Sequence, residues 1–215
     1  DAMIVMGEIS REYIHFMKKH TDVPVIFLDF YDKELAKDAV IADNFYGMYL
    51  MTGYLFEQGF TKMAYVGSIH ATSSIMDRYC GFYKAQLEHG QVLPEEWLIE
   101  DRDEKGYMDI KLPQHMPEAF VCNCDLAAGM LIQELEKQGY RVPEDISVVG
   151  FDNYLYPGVT DKNITSYEVN IQVMVKVALE KALKQIKNPD SGRGLSIVSG
   201  KIVEKESVQK ICRES

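Results

Sequence analysis

The chain has 215 residues, 47% hydrophobic and 26% charged, with a formal net charge of −10. That composition excludes a disordered segment, and apolar runs such as AMIVM and VIFL fall far short of the roughly 20 residues that a membrane span needs. The acidic balance argues against broad electrostatic binding of nucleic acid by this segment. Cys80, Cys122, Cys124 and Cys212 show neither the paired spacing of a zinc site nor the density of a disulfide scaffold, so a reducing cytoplasm is expected. No basic-then-apolar leader opens the chain, but it begins inside a strand-like run, so an upstream segment is expected to be missing.

In chain order, AMIVMG (2–7) reads as a strand, SREYIHFMKKH (10–20) as a helix opened by Ser10, and VPVIFLD (23–29) as a second strand. DNFYGMYLMTGYLFEQG (43–59) has apolar residues at helical spacing, Asp43 as a candidate N-cap and Gly59 at the C-terminal cap position. The alternation continues. KMAYVG is a strand, SSIMDRYCGFYKAQLEHG a helix, EAFVC a strand, DLAAGMLIQELEKQG a helix and DISVVGFD a strand. NIQVMVKVALEKALKQIKNP (170–189) is the last long helix, capped by Asn170, with an apolar stripe at 171, 174, 175, 178, 179, 182 and 186. LSIVSGKIVEKESVQ then reads as two short β segments. Strands apolar on both faces and separated by helices imply parallel sheets covered by helices, an α/β protein. The charge run EDRDEKG (100–106) reads as a solvated loop and helix start.

In such sheets a ligand crevice lies beyond the carboxyl ends of the strands. That rule selects Asp29, Gly67 with SIHATSS, then Asn123, Cys124 and Asp125, and finally Asp152. Each also has a local explanation. Asp125 reads as an N-cap for the helix it precedes, and Asp152-Asn153 as an Asx-turn. Arg78 falls early on a largely apolar helix, where its five donors need acceptors: either a structural carboxylate, or the hydroxyls or carboxylate of a ligand. No nucleotide-loop, nucleophile-elbow or zinc-protease motif is present, and the five histidines are scattered, so no enzyme activity, cofactor or metal is expected.

The order of these segments, with VPEDISVVGFDN and the terminal IVEKESV, resembles the effector-binding core of the LacI/GalR family of bacterial transcription regulators over nearly the whole chain. The resemblance implies a periplasmic-binding-protein-like fold of two Rossmann-like α/β lobes joined by three crossings, with a small-molecule effector, by expectation a carbohydrate, held between them. It places 1–42 and 169–190 in an N-terminal lobe that lacks its first strand-helix-strand-helix unit, and 43–168 and 191–215 in a C-terminal lobe. By the same resemblance Asp29, Thr72, Ser74, Arg78, Asn123, Cys124 and Asp152 are the expected effector contacts. Cys124 departs from the family's more usual amide-acid pairing. A homodimer and operator DNA bound through a helix-turn-helix headpiece outside this segment are also implied; a transport sugar-binding protein is the alternative. Arg78→Ala and Asp152→Asn are each expected to abolish the effector response with little change in apo stability.

Overall fold

The computed structural model describes every residue except 33, 36, 155 and 213–215. The chain divides into two compact units. The first comprises Asp1–Asp43, Thr72–Ser74 and Asn170–Gly200, and the second Asn44–Ala71, Ile75–Val169 and Lys201–Ser215.

The first unit holds β1 (Met3–Met6), α1 (Arg11–His20), β2 (Val25–Leu28) and β3 (Ala39–Ala42). Ser10 caps α1, its hydroxyl accepting from Tyr13 N–H. The second unit begins with α2 (Asn44–Glu57), β4 (Met63–Val66), α3 (Ser73–Glu88) and β5 (Leu98–Ile99). It continues with β6 (Ala119–Cys122), α4 (Asp125–Lys137), β7 (Ser147–Asp152) and β8 (Thr165–Glu168). The chain then returns to the first unit for α5 (Ile171–Lys187) and β9 (Leu195–Val198), and ends in the second with β10 (Lys201–Val203).

The first sheet has the order β1-β2-β3-β9, parallel throughout. The second has the order β10-β8-β7-β6-β4-β5, parallel except for β10 against β8. Three strands escape the periodicity reading: β3 and β8 sit beside the passages between units, and β5 has only two residues. The expected lobe boundary at 190/191 is corrected. LSIV pairs with β3 from Ala39↔Leu195 to Ala42↔Val198, so the chain stays in the first unit through Gly200. The two terminal β segments therefore belong to different sheets.

On α5 the buried positions are Met174, Ala178, Lys181, Ala182 and Gln185, whereas Ile171, Val175, Leu179 and Ile186 are exposed. The expected stripe is thus only half covered, because the helix is apolar over a wider arc than it buries. Lys181 reaches its buried position by donating to the Gly192 and Gly194 carbonyls, at 2.8 and 2.7 Å.

In the second unit, alternate residues of the central strands feed two cores. Ala64, Val66, Phe120, Cys122 and Val148 meet Leu131, Ile132 and Leu135 of α4. Met63, Tyr65, Val121, Val149 and Phe151 meet Met48, Met51 and Leu55 of α2 and Phe82 of α3. At about 1.5–3 kcal/mol for each large side chain removed from water, these two layers dominate the unit's stability. The starts of β7 and β8 are clasped by a later segment: Ser207 Oγ donates to Val148 O at 2.6 Å and accepts from Thr165 N–H at 2.8 Å, while Val148 N–H donates to Ser207 O. The opposite ends of β4, β5, β6 and β7 deliver Ser68, Asp101, Asn123 and Asp152 along one edge of the sheet.

Candidate functional site

Arg78 is the centre of that edge. It lies in the second turn of α3 and is 6% exposed, so each of its donors must be matched. Nε donates to Asn44 Oδ1 at 2.8 Å, and Nη1 to the Asn123 carbonyl at 2.7 Å. The guanidinium carbon stacks 3.9 Å from the centroid of the Phe151 ring. Nη2 faces Asp152 Oδ1 at 3.4 Å, longer than the 2.7–2.9 Å or so of a tight charge-assisted bond. Asn44, the first residue of α2, was not among the expected contacts; it is 1% exposed and its Nδ2 has no hydrogen-bond partner.

On one flank lies Asp101, fully buried after β5. It accepts from Arg102 Nε and Nη2, both at 2.9 Å, from Ser68 N–H at 3.0 Å and from Asn123 Nδ2 at 2.7 Å. Burial alone would raise its pKa, but the hydrogen bonds from Arg102 and Ser68 outweigh that and hold it at about 2. Asn123 Nδ2 also donates to Val66 O, so both amide hydrogens point into the protein and its carbonyl faces Arg78.

The other flank is the turn after β7. Asp152 and Asn153 have φ of +105° and +55°, left-handed backbone that costs about 1–3 kcal/mol per residue unless the surroundings impose it. Asn153 N–H donates to Ser166 Oγ at 3.0 Å, and its Nδ2 to Glu168 at 2.8 Å. Tyr154 N–H donates to Asp125 Oδ2 at 2.7 Å, and Ser166 Oγ donates to Asp125 Oδ1 at 2.7 Å. Asp125 does not cap its helix as the sequence suggested. Cys124 is the N-cap, its Sγ accepting from Ala127 N–H at 3.5 Å, and Asp125, the next residue, turns inward. Desolvation raises the Asp125 pKa to about 7, with neighbouring Asp152 adding to the shift, against hydrogen bonds from Ser166 and Tyr154. Burial pushes the Cys124 thiol up to about 11, assisted by Asp152.

Of the residues singled out in the sequence, Arg78, Asn123, Cys124 and Asp152 therefore converge within the second unit. Asp29 ends β2 of the first unit with φ of +60°, its N–H donating to Val40 O at 2.8 Å. Thr72 and Ser74 group with the first unit, Ser74 being buried. Asp101, Asn44, Ser166 and Phe151 were missed. Asp101 was hidden inside a charge run, and the other three carry no local signal that separates them from ordinary cap or core residues. Among the described residues no cluster of three His, Cys, Asp or Glu is placed to hold a metal, and no helix is long and apolar enough to cross a membrane.

Comparison with known proteins extends this geometry. Residues 52–208 match the model of the periplasmic binding protein-like domain. The chain is 29% identical over 217 aligned residues to the HTH-type transcriptional repressor PurR of Vibrio vulnificus, covering 98% of this chain and 65% of the repressor. It thus spans about two thirds of that relative's length. A LacI family regulator of Enterococcus faecium, solved with bound ribose, superposes with a TM-score of 0.78 at 20% identity, covering 99% of this chain and 81% of that one. The transcription regulator CcpA of Lactococcus lactis gives 0.80 at 22% identity, with coverages of 97% and 78%. The chain belongs to the periplasmic binding protein-like domain family.

Proposed function

We propose that the Arg78–Asp152 edge binds a small hydroxylated effector, by choice a carbohydrate, and that this binding controls a transcription regulator. The observation that carries the reading is the long Arg78–Asp152 pair. Asn44, the Asn123 carbonyl and Phe151 fix the guanidinium from behind, while its contact with Asp152 remains at 3.4 Å. A hydroxyl entering there could accept from Nη2 and donate to Asp152, forming two charge-assisted bonds on prepositioned groups. Asn123 is assigned a positioning role through its carbonyl, Cys124 a role in shaping the turn, and Asp29, Thr72 and Ser74 the role of additional effector contacts. Ribose is bound by the Enterococcus faecium neighbour and cellobiose by the regulator CelR, which makes pentoses and disaccharides the first ligands to try.

The repressor relatives favour this reading over a transport binding protein. In the whole protein, the headpiece outside this segment would contact operator DNA as a cytoplasmic homodimer, and the effector would shift the balance between two core conformations. The test is thermal shift and calorimetry on the full-length protein with D-ribose, cellobiose, phosphosugars and purine bases. A carbohydrate is expected to raise Tm, and Asp152→Asn to weaken it at least tenfold, about 1.4 kcal/mol. A response to none of the carbohydrates, or an unchanged affinity in Asp152→Asn, overturns the assignment.

A further inference from the structure

We propose that Asp125 is a positioning residue for effector binding: its carboxylate holds the left-handed Asp152–Asn153 turn in the shape that sets Asp152 opposite Arg78. The proposal rests on the effector-site reading above and adds to it a residue outside the Arg78–Asp152 pair.

The geometry is a relay. Asp125 stands at the start of α4 but directs both oxygens at other elements. Oδ2 receives Tyr154 N–H, directly after the strained pair. Oδ1 receives the hydroxyl of Ser166 on β8, and that hydroxyl oxygen receives Asn153 N–H. One carboxylate thus fixes two successive amides of the turn, one directly and one through a serine. The closeness is built into β7 as well, because a Cβ at Gly150 would collide with Asp125 Oδ1. Only glycine leaves room for the carboxylate against that strand.

Placing an acid here is unfavourable for the fold. Asp125 is 4% exposed and faces Asp152 from the end of β7. Cys122 on β6 and Tyr156 in the following loop also feel its charge, and Lys205, beyond β10, is the cation that favours its ionised form. Desolvation leads, and the carboxyl titrates at about 7 rather than its ordinary 3.8. The sign follows from linkage. A raised native pKa gives a stabilising contribution that is complete below the unfolded value and is lost as pH rises through about 7. The anion, however, is the stronger acceptor for the amide and the hydroxyl. Fold stability and turn order therefore respond to pH in opposite directions, a pattern expected of a group retained for function.

The experiment uses full-length protein between pH 5.5 and 8.5 and two readouts. In the first, the Asn153 and Tyr154 amides are followed by NMR without ligand. They are expected to titrate together with a midpoint near neutrality, and this titration should vanish in Asp125→Asn. In the second, affinity for D-ribose or cellobiose, whichever binds, is expected to fall about tenfold from pH 8 to pH 6. Asp125→Asn, which mimics the protonated acid, should bind at every pH as the wild type does at pH 6 while melting higher than the wild type at pH 8. Amides that ignore both pH and the substitution overturn the proposal, as does a sugar affinity that is flat with pH. If neither sugar binds but the amides titrate as described, the carbohydrate reading fails and the role of Asp125 in shaping the turn is supported.

Discussion

Two buried aspartates flank Arg78 and behave oppositely. Both are shut off from solvent, yet Asp101 is held at about 2, while Asp125 is pushed up to about 7. Desolvation raises both, and the donors decide how far it is offset. Asp101 receives a bidentate guanidinium, a backbone N–H and an amide. Asp125 receives one backbone N–H and one hydroxyl, and faces another acid. The first flank is a permanently charged brace, and the second a brace whose charge sits at the edge of physiological pH.

Arg78→Ala removes what the two flanks share and should have the largest effect. The sequence alone suggested that a site residue contributes little to the fold, but burial reverses that expectation. The substitution strands Asn44 Oδ1 and the Asn123 carbonyl and leaves a void over Phe151, costing about 3 kcal/mol in chemical denaturation as well as the whole effector response. An apo stability within a few tenths of the wild type would show that water replaces the guanidinium without loss. Next is Asp101→Asn, which unpairs Arg102. With Arg102 itself partly solvated, a loss of about 2 kcal/mol is expected at pH 7. The difference from wild type should shrink as pH falls from about 4 towards 2, because a depressed pKa contributes stability above the unfolded value and loses it on acidification. A pH-independent difference would mean that packing, not charge, is what Asp101 supplies. The smallest effect is expected on the other flank: Cys124→Ser replaces a weak 3.5 Å thiol cap by a hydroxyl and should raise stability by about 0.5 kcal/mol.

Much of the fold is legible because β4, β6 and β7 are apolar on both faces and helices with ordinary caps separate them, as Ser10 and Asn170 illustrate. The strands that escape, β3, β5 and β8, are defined by their sheet neighbours rather than by their own pattern; TSYE becomes a strand only between β7 and β10. For the site, strand ends led to Asn123, Cys124 and Asp152, and a lone arginine on a largely apolar helix led to Arg78. They could not reveal that the Asn123 amide points inward, nor that Asp125, an apparent cap, reaches across to Ser166. Those facts depend on residues 22 and 41 positions distant in the chain.

The Ser207 clasp has a consequence for how the molecule must assemble. It ties together strand starts that lie 59 and 42 residues earlier, and between those strands and the clasp the chain leaves for the first unit to form α5 and β9. The second unit therefore cannot be cut out as one continuous stretch of polypeptide; any excision that ends at Val169 forfeits both its antiparallel border strand and the fastening at its base. Completing it requires closing a long loop through its neighbour, a high-contact-order step that makes maturation of the two units interdependent.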